Sequence, residues 1–356
     1  MLEIINIKGD RNQSKIVTSK STMLNIRAKI LCEKRTVDTV SNCDYLIKST
    51  PSSSFLLCIF LISTILPILG CIKDSPPEVV KPVLEYGERE PAFSSDGKFI
   101  AYSSEGEIWL LELATEENEY VTHGRLPDWS PDDKWIVYVW LGDIYKINVE
   151  TKEIKQLSTW NDCYFPDWSP NGRRIALDTG HEDPKGAHMI WLMDANGTNF
   201  KDISIHGTGE WREPDWSPSG DKLVHIRYVA GVADAEIFIM DSTGENSVRL
   251  TNNNRQDDWP VWSPDGSRIA YVSQTNGYYN VFLINADGTN KIKITFEPES
   301  SNGYASCEPT WSPDGSQIVY ARVEWFEDEQ IIELVSHLWI MNADGSNKKQ
   351  LTGKVF

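Results

Sequence analysis

Six variants of one seven-residue phrase recur through the last three quarters of this chain. They start at Pro91, Pro127, Pro166, Pro214, Pro260 and Pro309 and read Pro-x-Trp-Ser-Pro-Asp-Gly. The departures are few: Phe93 for Trp and Ser95 for Pro in the first copy, Asp133 for Gly in the second, Asn171 and Ser219 for Asp in the third and fourth. Measured from aromatic to aromatic, the spacings are 36, 39, 48, 46 and 49 residues. A period of that length, punctuated by aromatic residues and Gly, is the sequence signature of a propeller with one four-stranded blade per repeat. The expectation is therefore an all-β, six-bladed β-propeller over residues 90–356, with four antiparallel strands per blade.

The fifth repeat shows the grammar of a blade. Trp259-Pro260-Val261-Trp262-Ser263 reads as a short extended segment, because a residue before Pro avoids the helical region. Ser263-Pro264-Asp265-Gly266 fits a type I turn. Arg268–Val272 is β-rich, and Tyr279–Ile284 alternates as a half-buried strand. Asn285-Ala286-Asp287-Gly288 forms a second tight turn. Lys291–Thr295 alternates Lys and Ile, which suits an edge that must resist pairing with other chains. The first repeat is the least regular, as terminal repeats commonly are.

These phrases, with an Ile-Ala-Tyr strand, an Asn-Ala-Asp-Gly turn and a closing Leu351-Thr352, resemble the WD-like repeat of the TolB family. The resemblance covers residues 90 to 356. It implies a six-bladed periplasmic propeller that binds protein partners. TolB itself also carries an N-terminal α/β domain, for which residues 72–89 leave no room, so the Tol-system role is not carried over.

The N-terminal quarter reads as an address. Residues 1–54 form an extension of no evident fold, or reflect a start downstream of Met1, although no Met lies between Met23 and Phe55. Residues 55–71 hold an uncharged apolar run, Phe55–Leu69, of signal-peptide length. It ends in Ile68-Leu69-Gly70-Cys71, which resembles a lipobox with Cys71 as the lipidated residue. An uncleaved signal anchor is the alternative. Residues 72–89 are a tether. Both readings place the repeats outside the cytoplasm, as a monomer held to a membrane.

Residues 1–71 carry nine Lys plus Arg and five Asp plus Glu, so of the net −18 the remainder holds −22. Such an acidic body lacks the basic footprint that nucleic acid requires. Cys163 and Cys307 sit in the third and sixth repeats, on opposite sides of a ring, too far apart for a disulfide; two free thiols are expected.

No motif points to catalysis, a metal or a cofactor. The Asn-Ala-Asp-Gly turns lack the bidentate Glu of a calcium loop six residues later, where Ile203, Leu250, Ile294 and Leu351 stand. The six His residues show no zinc spacing, and no Gly-x-Ser-x-Gly elbow is present. The remaining signal lies in loops that a propeller brings to one mouth of its channel. Those from outer to next inner strand end at Glu90, Leu126, Phe165, Glu213, Trp259 and Glu308; three long loops, 179–188, 228–235 and 322–336, share their face. Here Trp211, Trp259, Trp325 and Phe326 are candidate apolar anchors, and Glu213, Asp257, Asp258, Glu308 and Glu327 candidate selectors of a basic protein or peptide. The competing account is structural: each Glu before the motif Pro bonds to neighbouring backbone, and Trp259 packs between blades. The alternative function is a hydrolase or lyase acting in the channel on a polysaccharide or peptide, for which His181, His206 and His337 are the nearest candidate ligands.

Overall fold

Serine and glycine at fixed places in the repeat phrase decide the local structure. In the computed structural model, each motif Ser accepts a hydrogen bond on its Oγ from the backbone N–H five residues later. Examples are Ser94 from Phe99, Ser130 from Trp135 and Ser263 from Arg268, all at 2.9 Å. The same Ser carbonyl accepts the N–H three residues on, as in Gly97 to Ser94 at 2.9 Å and Gly266 to Ser263 at 2.8 Å. The expected type I turn is thus closed twice, and a residue with positive φ ends it. The structure describes residues 83–181, 186–204, 209–228, 234–253, 255–275, 278–296, 304–327 and 332–353; within these, the side chains of 83–86, 304, 325–327, 332 and 333 are left out. The address calls on residues 1–82, Cys71 included, lie outside the described residues.

All regular structure among the described residues is β. The inner strands are Val83–Phe93, Arg125–Trp129, Cys163–Trp168, Trp211–Trp216, Asp257–Trp262 and Tyr304–Trp311. Each starts an antiparallel series running outward through three more strands. The middle four series are separate four-stranded sheets, and the first and last are joined into one eight-stranded sheet. Inner strands touch their neighbours in chain order, and the first also touches the last, so the series closes on itself.

Burial explains the alternation. Each pair of neighbouring sheets shares an apolar cluster, for example Ile136, Tyr138 and Trp129 with Ala101 and Ile108. The circle is completed by Ile100, Tyr102 and Leu111 against Val319, Ala321, Leu338 and Ile340. The motif tryptophans 129, 168, 216, 262 and 311 are buried in these seams, at most 9% exposed. The outermost strands are two or three residues long in five of the six series, such as Val248–Arg249 and Ile292–Lys293. That brevity, with their charged residues, blunts the free edge. A buried hydroxyl pins each to the strand inside it: Ser158, Ser204, Thr251, Thr295 and Thr352 accept the N–H of Ile144, Ile190, Ile237, Val281 and Leu338 at 2.7–2.9 Å. This accounts for the Thr or Ser that ends each of these repeats.

The ring closes through two strands that pair with the same partner. Lys349–Gln350 pairs with the outer half of the strand Ile332–Asn342, and Val83–Gly87 pairs in parallel with its other half, Ile332–Ser336. Gly87, at φ 116°, is required there: a Cβ would collide with the Ser336 backbone. Arg89 and Glu308 lock the same seam through a buried ion pair, Nη2 to Oε1 at 2.6 Å. Cys163 and Cys307 are buried free thiols.

The turns stack around the ring as well. A Cβ on Gly172 would meet Pro131 at 3.3 Å, and one on Gly315 would meet Pro264 at 3.4 Å; each turn Pro packs on the turn Gly of the following repeat. The first two repeats break this rule together. Ser95 replaces Pro and keeps its N–H; Asp133 replaces Gly and accepts that N–H on Oδ1 at 2.6 Å, with Asp96 N–H on Oδ2 at 3.0 Å. Two departures that look like decay in the sequence are one polar contact in the structure.

Candidate functional site

The residue before each motif Pro sets the geometry of the channel. Glu90, Leu126, Phe165, Glu213, Trp259 and Glu308 have φ between 48° and 57°. The extended segment expected from the sequence is corrected here: the inner strands carry a bulge, seen as a register shift at Arg89/Ala92, Arg125/Asp128, Arg212/Asp215, Asp258/Val261 and Cys307/Thr310. The reason lies in the following Pro. It has no N–H for the ladder, so the ladder skips a step there, and the residue before it takes the left-handed backbone of a bulge.

The bulge frees N–H groups, and carboxylates of the preceding repeat take them. Glu90 accepts from Leu126 N–H at 2.7 Å, Glu213 from Trp259 at 2.7 Å, and Glu308 from Glu90 at 2.8 Å. Where Phe165 holds the equivalent place, Asp178 Oδ2 accepts the Glu213 N–H instead, at 3.0 Å. Two residues further along, Asp128, Asp167 and Asp215 accept the N–H of Trp168, Trp216 and Trp262 at 2.7, 2.6 and 2.8 Å.

The residues before each motif Pro, the Pro itself and the residue after it line one central cavity of about 150 Å³. Its wall is uneven. The x position of the phrase holds Asp128, Asp167 and Asp215 in three consecutive repeats, and Ala92, Val261 and Thr310 in the others. Burial pushes Asp128 up to about 7 and Asp215 up to about 8. Asp167, between them, is raised by burial and then by the charges of Asp215 and Asp128. Asp128 and Asp167 act on each other through their side chains. Neighbouring like charges disfavour ionisation of both groups together. The three side chains remain in part open to the cavity.

The candidate residues are distributed differently from the sequence expectation. Trp211 is 1% exposed, stacked on His225 at 4.7 Å with Arg227 4.6 Å from its ring. Trp259 is buried in the seam with Cys307, Tyr279 and Trp311. Neither is a solvent-facing anchor; an indole next to a buried bulge fills the seam between sheets. Glu213 and Glu308 are buried and bound to backbone N–H groups, the arrangement held above as the competing account. Asp257 and Asp258 are also buried, so they are not rim selectors. Asp257 accepts from Asn253 at 2.7 Å, and burial raises it. Asp258 accepts from Gln256 at 2.7 Å; its other oxygen has no partner among the described residues, and burial pushes it up to about 7. Trp325, Phe326 and Glu327 end the strand Gln317–Glu327, where the backbone of Trp325 pairs with Leu334; their side chains lie outside the described residues.

The candidate histidine ligands do not converge. His181 stacks on Trp160 at 4.6 Å, His337 bonds Glu88 at 2.9 Å, and His206 lies outside the described residues. No group of three His, Cys, Asp or Glu able to hold a metal occurs among the described residues. The aspartates at the x position were passed over in the sequence as part of a structural phrase. Their signal was asymmetry: a true spacer position would not hold Asp in three consecutive copies and neutral residues in the rest.

Residues 208–355 match the family model of the TolB beta propeller domain. The described sheets overlay a solved structure reported as TolB from Agrobacterium tumefaciens with a TM-score of 0.58 at 22% identity, covering 69% of this chain and 88% of that one. The fold is a TolB-like β-propeller. TolB from Acinetobacter baumannii overlays with a TM-score of 0.54 at 20% identity, covering 72% of this chain and 61% of that one. Among curated relatives, an uncharacterised protein of Agrobacterium fabrum is 35% identical over 30% of this chain, and an uncharacterised peptidase, YuxL of Bacillus subtilis, is 31% identical over 29%. The chain spans 38% and 16% of their respective lengths, so the likeness concerns the TolB-like propeller and not those whole proteins.

Proposed function

We propose that this chain is an extracytoplasmic six-bladed TolB-like propeller, tethered to a membrane through a lipid on Cys71, that binds a protein or peptide without transforming it. The observation that supports this reading is the row Asp128, Asp167 and Asp215 on one wall of the channel. Burial and mutual repulsion disfavour ionisation of all three at once. A cationic group entering the channel would relieve their repulsion and favour their ionised forms. A Lys or Arg side chain, or a chain amino terminus, fits that requirement, and the net charge of −18 attracts such a partner at long range.

The reading has a thermodynamic signature. A cation lowers carboxyl pKa values, so binding releases protons and tightens as pH rises from 6 to 8. Calorimetric titration with basic peptides, in buffers of different ionisation enthalpy, measures the release directly. Binding that is independent of pH, and unaltered by Asp167→Asn, would remove the proposal. The neighbouring, raised carboxyl groups Asp128 and Asp167 also favour a second reading, acid–base hydrolysis or elimination in the channel. Turnover of polysaccharide or peptide substrates that Asp167→Asn abolishes would select it.

A further inference from the structure

We infer that the hairpin tip Trp140–Leu141 is the apolar contact of the binding face, seating an apolar side chain of a partner segment that carries a basic residue beside it; this rests on the binding reading above. The tip joins the strands Trp135–Trp140 and Asp143–Asn148. Leu141 is 76% exposed and Trp140 41%. Single exposed apolar residues are ordinary on a protein surface. This one is not, because Leu141 has φ 53° and is followed by Gly142 at φ 82°. A two-residue hairpin turn with positive φ at both places favours Asn, Asp or Gly, and a large side chain there is rare. The first blade makes the same turn, φ 52° and 80°, with Glu105–Gly106. The geometry therefore does not require leucine, and leucine finds no shelter in it.

The tip is also held still. Cys163 N–H donates to the Gly142 carbonyl at 2.7 Å. Asp143 Oδ1 accepts from Ser158 Oγ at 3.1 Å and Asn161 N–H at 3.0 Å. A Cβ on Gly142 would meet the Asn161 carbonyl oxygen at 2.5 Å, so the turn rests on the neighbouring loop without a gap. Trp140 leans edge-on against Tyr145 at 5.5 Å. A contact fixed before binding loses little freedom when it binds.

Position and charge define the occupant. Arg125 pairs with Val139, which puts Trp140 at the end of the blade where the channel opens, level with the start of the inner strand. Asp162, next to the buttressing Asn161, is about one-third exposed and lies 3.5 Å from the His188 ring nitrogen Nε2. Glu105 stands exposed on the adjacent blade tip. A segment that laid an apolar side chain on Trp140 and Leu141 would meet these carboxylates with its neighbouring residue, and a basic residue matches them.

The test is selection of a displayed random-peptide library on the full chain, followed by fluorescence anisotropy of the enriched peptides on three proteins: unaltered, Leu141→Asn and Asp167→Asn. Asn suits the turn, so Leu141→Asn keeps the fold, checked by an unchanged or higher Tm. The expected result is enrichment of peptides with Lys or Arg beside Trp, Phe or Leu, and affinity at least tenfold weaker on Leu141→Asn. Affinity within twofold on that variant overturns the inference. If such peptides still weaken on Asp167→Asn, the channel reading stands and only the tip is excluded; if neither variant matters, both fall. Enriched peptides without basic residues, or dimerisation of the chain that depends on Leu141 in analytical ultracentrifugation, also overturn it.

Discussion

Ser95 and Asp133 offer a quantitative test of how adjacent repeats communicate. In the other turns, Pro of one repeat packs on Gly of the next; here the Ser95 and Asp96 N–H groups donate to the Asp133 carboxylate. The contact is exposed, so each bond is worth about 1 kcal/mol, near the middle of the range for a net hydrogen bond. Asp133→Gly loses both, about 2 kcal/mol, but relieves a left-handed residue at φ 56° by about 1 kcal/mol. The net cost is about 1 kcal/mol. Ser95→Pro loses one bond and gains about 0.5 kcal/mol from a stiffer unfolded chain, a net cost of about 0.5 kcal/mol. The double variant loses the bonds only once and restores the Pro–Gly packing seen elsewhere. It should lie within about 0.5 kcal/mol of the unaltered chain, against about 1.5 kcal/mol if the effects were independent. The coupling of about 1 kcal/mol is measurable by urea unfolding, and as about 2–4 °C in Tm for a domain of this size. Additivity within about 0.3 kcal/mol would refute the claim that the two departures compensate.

Two further outcomes follow from the seam and the channel. Arg89→Ala strands the Glu308 carboxylate in a buried site at the ring closure, and the expected loss is about 3–5 kcal/mol, read as a large drop in the denaturant midpoint. Retention of the midpoint would mean that the parallel pairing of Val83–Gly87 closes the ring unaided. Asp128 and Asp215 have folded pKa values raised above those of an unfolded chain, so the stabilisation tied to their protonated forms is complete below pH 4 and is lost as pH rises through about 7 and 8. Calorimetric Tm should therefore fall between pH 5 and 8.5, and the combined change of both residues to Asn should flatten the slope; an unchanged slope counts against a strained acidic wall.

The repeat phrase made the fold readable in advance because its chemistry is local. Ser, Pro and Gly specify a turn within seven residues, and alternation specifies which strand face is buried. The site was less readable because its contacts join residues 35 or more apart, across blades. No local rule tells Glu213, which reaches the Trp259 N–H, from a solvated carboxylate. Nor does any local rule reveal that Trp211 would stack within a blade while Trp140 would stand partly in water.

Spacing and turn chemistry alone dictated strand order, the type I turns and the short charged edges, since each depends on a residue and its near neighbours. Closure of the ring on Arg89, Glu308 and Val83–Gly87, the acidic wall of Asp128, Asp167 and Asp215, and the strained display of Leu141 came only with assembly. Each depends on which groups two distant segments bring within 3 Å and shield from water, and that distance has no counterpart along the chain.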